Sequence, residues 1–424
     1  MTSQVLSQTS SPEVAAPEAR PFKKAIALIA HDRIDYFERT LHSICRQHVL
    51  GQSIFEIYDF YIFQDGIGDA DEARVKAHAA ITELSKNTQS VKQFIVQPIN
   101  LGVGKHFAFV EDYLFNHGNH DFVVFCEDDM VLGDAYMTTL NAMANKFYDD
   151  ERVAMLSAHS QAYKATSAEQ AGRIQDYLPM GHSWGFGLYK RAWLAIQPIV
   201  EVYLELLGQV PYQQRNHTAI QFWQQQCGLR AGATSQDYIK SCALVALGYL
   251  RLSSYPNYGL YIGEEGVHFN AQTYAKHRYA DTVVFDQPVL EPLPLDAQMY
   301  QKLWGPMANQ CLQDPQQFKV QEFRDLLAKG LSKPTFPNNL LTSLSTAEDV
   351  IAIDKLLLNR LPKSQQQIDE RVGLPMDQLF KDSIDSEEFV GRHQYWPAII
   401  MLTRKIMKEY ESEQKKTGEL PDQQ

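Results

Sequence analysis

The sequence predicts an α/β fold with a mainly parallel central sheet and a helical C-terminal region. Between residues 23 and 155, short apolar runs alternate with segments of helical periodicity, which is typical of βαβ units. Three of the apolar runs end in charged residues. Ligands of open α/β sheets bind beyond the carboxyl ends of the strands, so we expect the functional site there.

Four apolar runs are continuous enough to be buried strands, and helices are predicted between them. The predicted strands are 25–30 (AIALIA), 57–64 (IYDFYIFQ), 91–97 (VKQFIVQ) and 122–126 (FVVFC). The first helix carries Ile34, Phe37, Leu41 and Ile44 on one stripe, and the next two are predicted at 72–84 and 106–115. Further along, a helix is predicted at about 238–250, and the pattern becomes helical from about residue 290, notably at 347–361 and 395–408.

We expect four regions along the 424 residues. They are a disordered leader at 1–20, a main domain at 21–290, a helical appendage at 291–410 and a disordered tail at 411–424. The leader is rich in Ser, Thr, Pro and Ala without a long apolar run, and no stretch of about 18 apolar residues occurs. We therefore expect neither a signal peptide nor a transmembrane segment, and a cytoplasmic or membrane-peripheral protein.

The net charge of −12 argues against nucleic acid as a partner, because a phosphate-binding surface needs clustered Lys and Arg. A small anionic ligand remains compatible, since a few local positive groups and a divalent cation can hold it. The five cysteines include no C-x-x-C pair and are expected to be reduced.

The strongest chemical signal is the strand at 122–126, which runs directly into Glu127, Asp128 and Asp129. A hard divalent cation such as Mn²⁺ or Mg²⁺ prefers oxygen ligands and is often held by one or two carboxylates together with diphosphate oxygens. The alternative is a solvated acidic turn before the next helix. The other charged strand ends are His31-Asp32-Arg33 and Asp65-Gly66.

The order of these blocks, from about residue 25 to 270, resembles the N-acetylglucosaminyltransferase I family and the related protein O-mannose N-acetylglucosaminyltransferases. These are inverting GT-A glycosyltransferases whose strand-terminal E-D-D binds donor and manganese. The resemblance implies a Rossmann-like GT-A mixed sheet with flanking helices, a UDP-sugar donor and metal-assisted transfer to an acceptor hydroxyl. N-acetylglucosamine is the donor sugar that it suggests.

The resemblance also implies roles for individual donor-side residues. Arg33 of the D-R pair would meet the donor, Asp65 of the Q-D pair would read the uracil edge, and His106 would lie beside the uracil. Glu127 and Asp128 would touch the donor sugar and ribose, and Asp129 would ligate the metal directly. Ordinary alternatives are a surface arginine at a helix start for Arg33, a turn for Asp65-Gly66 and a structural histidine for His106.

The block 179–187 (PMGHSWGFG) resembles the family's P-G-L-G-W segment, and Trp184 is expected to bind the donor by stacking on a sugar ring, or could belong to the core. Asp237 occupies the place of the family's catalytic base, although Gln236 replaces the family's tryptophan. The alternative for Asp237 is a helix N-cap or an acid in the first turn of a helix. His268 stands where the family has a donor-contacting serine, and an imidazole there could bind a metal or a phosphate.

Other classes fit less well. A dinucleotide-binding dehydrogenase needs G-x-G-x-x-G after the first strand, and a nucleotidyltransferase needs a Gly-rich basic loop there; this chain has His31-Asp32-Arg33. A non-catalytic nucleotide-sugar or glycan-binding protein and a retaining transferase remain alternatives. The acceptor, whether glycan, lipid-linked or protein, is not specified by the sequence.

Overall fold

The computed structural model describes residues 22–207, 217–266, 270–329 and, with short gaps, 345–388. The predicted leader, the tail and the helix at 395–408 lie outside these residues. The described strands are β1 (Lys24–Ala30), β2 (His48–Val49), β3 (Gln52–Ser53), β4 (Asp59–Gln64), β5 (Gln93–Val96), β6 (Phe122–Glu127), β7 (Met130–Leu132), β8 (Val153–Ser157), β9 (Tyr177–Pro179), β10 (Phe186–Tyr189), β11 (Leu250–Ser254) and β12 (Gly259–Tyr261).

Helices cover the sheet and follow it along the chain. They are α1 (Ile34–Cys45), α2 (Glu72–Asn87), α3 (Gly102–Asp112), α4 (Tyr136–Lys146), α5 (Ser167–Gly172), α6 (Lys190–Leu207), α7 (His217–Gln226), α8 (Gln236–Ala246), α9 (Ala271–His277), α10 (Ala297–Cys311), α11 (Val320–Ala328), α12 (Ala347–Leu358), α13 (Gln365–Asp369) and α14 (Met376–Ile384). None of the described helices is long and apolar enough to cross a membrane.

An eight-stranded mixed sheet forms the centre of the molecule, in the order β5-β4-β1-β6-β10-β8-β11-β9. Strands β5, β4, β1 and β6 are parallel, β10 runs antiparallel to β6 and β8, and β11 returns parallel to β8. The predicted α/β fold, a Rossmann-like mixed sheet with flanking helices, is confirmed.

The parallel half of the sheet matches the predicted strands because its central strands are buried on both faces. Every residue of β1 is buried, and so is nearly all of β4 and β6. Such strands appear in a sequence as unbroken apolar runs. Since β1, β4 and β6 are parallel, their carboxyl ends lie at one edge of the sheet, and the charged residues that follow them are brought together there.

The helix predicted at 238–250 differs from the structure at both ends. Helix α8 begins at Gln236 and ends at Ala246, and Gly248 then adopts a left-handed φ of 81°. The next residues form β11, which pairs with β8 and β9. Glycine is favoured at such a position because it carries no Cβ.

A two-stranded ribbon packs beside the three acids Glu127–Asp129, which we call the acidic turn. Strand β12 pairs antiparallel with β7, and the backbone N–H of Ile262 donates a hydrogen bond of 2.9 Å to the carbonyl of Asp129. A Cβ on Gly263 would lie 2.7 Å from Oδ2 of Asp129, so the backbone of the 262–263 segment passes directly beside this carboxylate.

Helices α10 and α11 belong to the same hydrophobic core as the sheet, through Leu303, Met307, Phe323 and Leu327. A separate small cluster joins α12 and α14 through Val350, Ile353, Leu357, Leu358 and Leu379. The main core therefore extends past the predicted division at residue 290, and the division into domains stays a prediction.

Candidate active site

An arginine and two aspartates form the centre of the site. Nη2 of Arg33 lies 2.9 Å from Oδ2 of Asp129 and forms an ion pair with Asp128, and Nε donates to Asp128 at 3.4 Å. Nη1 donates to the backbone carbonyl of Glu265 at 2.9 Å. Arg33 thus links the end of β1 to the end of β6 and to the segment that follows β12, as its place after the first strand predicts.

The acidic turn carries more negative charge than Arg33 neutralises. Burial, followed by repulsion from Asp129, raises the pKa of Glu127 well above its usual range. Burial also raises the pKa of Asp128 to about 6, although Arg33 opposes this shift. The Arg33 guanidinium pairs with Asp128 and Asp129, so a cation or a hydrogen-bond donor from a ligand would further stabilise the charged forms of the three acids.

The predicted uracil-side pair also comes together. His106 is buried in α3, with Nδ1 3.8 Å from Oδ1 of Asp65, and burial lowers the pKa of its imidazole. Asp65 also has a structural role that the sequence does not suggest. Its Oδ1 accepts hydrogen bonds from the N–H groups of Gly66 and Leu101, and its Oδ2 accepts one from the N–H of Gly102, each of 2.9 Å. The carboxylate therefore satisfies backbone groups at the start of α3.

Gly66 is required by a close backbone approach. A Cβ at this position would lie 2.2 Å from the carbonyl carbon of Ile99, an overlap that the backbone could relieve only by moving. The Asp65-Gly66 pair is therefore more than an ordinary turn, because it brings the end of β4 against the chain that leads into α3.

Asp237 lies in the first turn of α8 and is partly exposed. Ser235 occupies the N-cap, so Asp237 does not cap the helix. The charge of Asp237 acts on the acid Glu127, on His182 and on Arg251. Helix α8, which carries the predicted base, packs against β11, so Asp237 lies on the β11 half of the sheet.

Trp184 is the middle ring of an aromatic stack. On one face, the centroid of the Tyr261 ring lies 3.7 Å from that of Trp184, with an angle of 2° between the ring planes. On the other face, the centroid of the His182 ring lies 4.1 Å away, with an interplanar angle of 8°. The rings of Tyr279 and His159 lie nearly perpendicular to the indole of Trp184, each with its centroid 5.4 Å from that of Trp184. Because both indole faces are covered, a sugar ring could stack on Trp184 only after His182 or Tyr261 had moved, and the core alternative describes its surroundings better.

Of the remaining predicted residues, His268 lies outside the described residues. The part of the chain just before it is at the site, since Arg33 bonds the carbonyl of Glu265. Within the described residues, no group of three or more His, Cys, Asp or Glu side chains is arranged to hold a metal ion. The surplus charge and all-oxygen chemistry of the acidic turn nevertheless fit a hard cation that takes one or two protein carboxylates.

The sequence interpretation missed Arg251, His182, His159 and Tyr261. Arg251 lies between Leu250 and Leu252 in β11, directly after the predicted helix at 238–250, so no strand pattern marks it in the sequence. Tyr261 is placed beside Trp184 by the pairing of β12 with β7, and no local sequence pattern predicts that pairing.

No protein-family model matches the chain, and no curated protein matches it. Among solved structures, the chain is similar to one described as GalNAc-T7 with UDP, GalNAc and Mn²⁺, with 9% sequence identity and a TM-score of 0.34. The match covers 56% of this chain, and the chain spans 43% of that structure. A likeness this slight transfers no activity to this chain.

Proposed function

We propose that this chain is a GT-A glycosyltransferase that moves a sugar from a UDP-sugar to an acceptor hydroxyl with inversion at the anomeric carbon. The supporting observation is the pairing of Arg33 with Asp128 and Asp129, which joins the carboxyl ends of β1 and β6. A nucleotide-sugar donor presents a diphosphate, a nucleobase and a sugar, and this edge offers a separate group for each.

On the donor side, Arg33 would contact the diphosphate, with its guanidinium held in place by Asp128. Asp65 and His106 would face the uracil, and Glu127 and Asp128 would accept hydrogen bonds from donor sugar and ribose hydroxyls. The resemblance to N-acetylglucosaminyltransferases favours N-acetylglucosamine as the donor sugar.

Asp129 would hold Mn²⁺ or Mg²⁺ together with diphosphate oxygens. A bound cation supplies Lewis-acid stabilisation of the departing diphosphate. His268, as a further ligand or phosphate donor, remains a prediction from the sequence.

On the acceptor side, Asp237 would take the proton of the attacking hydroxyl. The new bond joins the acceptor oxygen to the anomeric carbon while the bond from that carbon to the diphosphate oxygen breaks, and the proton passes to the carboxylate. Direct displacement of this kind inverts the anomeric configuration. The partial exposure of Asp237 in the first turn of α8 supports this role.

A panel of UDP-, GDP- and TDP-sugars, each with and without Mn²⁺, tests the proposal by thermal shift and by donor hydrolysis. We expect a UDP-sugar to raise the melting temperature and to be hydrolysed only with the metal present. Donor stabilisation without turnover, with a range of acceptors supplied, would indicate a binding protein instead. Retention in the product anomer would contradict the role of Asp237, and no stabilisation by any donor would refute the donor site.

A further inference from the structure

Arg251 is buried and forms no ion pair within contact distance among the described residues. Only 6% of its surface is exposed, and its hydrogen bonds amount to one long contact of 3.5 Å from Nη2 to Oγ of Ser183, while Nε has no partner. By contrast, Nη1 and Nη2 of Arg191 donate to four backbone carbonyls that lie within 3.1 Å. Burying an uncompensated guanidinium is costly, so a structural role does not account for Arg251.

Two further unsatisfied polar groups lie in the same region. Ser253 shares a face of β11 with Arg251, because side chains two apart on a strand point the same way, and its buried Oγ has no partner. Nε2 of His159, which is 3% exposed, is also without a partner. Few buried polar groups in folded proteins lack partners, and three in one region indicate a polar ligand or bound water.

This region borders the proposed catalytic base. The N–H of Met180 donates to the carbonyl of Arg251 at 2.8 Å, so the 180–184 segment runs beside β11 and brings Ser183 to the guanidinium. His182 of the same segment forms the outer ring of the stack on Trp184. Helix α8, which carries Asp237 in its first turn, packs against β11, which carries Arg251.

We propose that Arg251, with Ser183 and Ser253, binds an anionic group, carboxylate or phosphate, carried by the acceptor. This inference rests on the proposed function, since it places the anion on the molecule whose hydroxyl faces Asp237. A guanidinium fork suits either anion, and a charge-assisted hydrogen bond discriminates a charged from a neutral ligand by about 10-fold to 100-fold.

The experiment measures binding calorimetrically, with UDP and Mn²⁺ saturating the donor side. The probes are methyl glucuronide for a carboxylate, glucose 6-phosphate for a phosphate, methyl glucoside as the neutral match and inorganic phosphate as the free anion. We expect one anionic sugar to bind about ten times or more as tightly as methyl glucoside. Arg251→Met should abolish this preference, and Arg173→Met, which removes an exposed arginine paired with Asp176, should leave it unchanged.

Arg251→Met should not lower the melting temperature, because it removes a buried charge that forms no ion pair and only one long hydrogen bond, whereas loss of a structural arginine would lower it. If this variant does melt early, Arg251→Lys must still prefer the anionic sugar, and its failure to do so overturns the proposal. Equal affinity of the wild type for charged and neutral sugars, or inorganic phosphate binding as tightly as either sugar, also overturns it. Failure of UDP to bind at all would instead refute the proposed function.

Discussion

Replacing Lys240 by Met should destabilise the protein strongly. Its Nζ lies 2.6 Å from Oε1 of Glu111, and the two side chains are 6% and 1% exposed. The pair joins α8, which carries Asp237, to α3, which carries His106. Removing one partner of a buried pair leaves the other charge unpaired in the interior and costs about 3–5 kcal/mol.

The assay is urea unfolding followed by tryptophan fluorescence, with the midpoint compared at constant slope. The double variant Lys240→Met/Glu111→Leu should recover most of the loss, because an apolar pair of similar volume avoids the desolvation penalty. Lys319→Met is the matched control, because both side chains of its ion pair with Glu322 are exposed to solvent. No measurable change in its urea midpoint is expected. The reasoning is refuted if Lys240→Met unfolds at the same midpoint as Lys319→Met, or if the double variant is no more stable than the single one.

Three further outcomes are expected. Asp129→Asn should lower metal-dependent turnover by orders of magnitude, as should chelation, and a chelator-insensitive wild type would contradict the metal role. Asp237→Asn should retain donor affinity by calorimetry while losing transfer, so an equal loss of both would exclude Asp237 as the base. Burial lowers the pKa of His159 to about 3, so below about pH 6.5 the unfolded chain binds a proton at this residue that the folded chain does not bind. The free energy of unfolding should therefore fall on acidification, by about 2–3 kcal/mol from this group at pH 4.5. The urea midpoint of His159→Phe should fall less over the same pH range.

The parallel half of the fold is predictable because buried parallel strands leave continuous apolar runs. The runs at 25–30 and 122–126 correspond closely to β1 and β6, and the stripe of Ile34, Phe37 and Leu41 corresponds to α1. Polar residues at the strand ends could be placed at one edge from the parallel topology alone, which is why Arg33, Asp65 and the acidic turn were found together.

The acceptor half was harder to predict because its contacts join distant parts of the chain. Strand β11 follows α8 after a short turn at Gly248, and its pairing with β8 and β9 overrides a local pattern that resembles a longer helix. The environment of Trp184 depends on Tyr261, which is remote in sequence and arrives through a second ribbon. Glycine and tryptophan spacing alone could not show that both indole faces are covered.

The three backbone bonds accepted by Asp65 have a consequence for mutagenesis at this position. A substitution that removes its carboxylate also releases the amides of Leu101 and Gly102, so the first turn of α3 would shift together with the buried imidazole it carries. A weakened affinity for UDP in such a variant would not by itself establish the proposed recognition of the base by Asp65, because a displaced helix would have the same effect. Discrimination between uracil and other bases at this site is better measured by exchanging the base of the nucleotide while the protein is left intact.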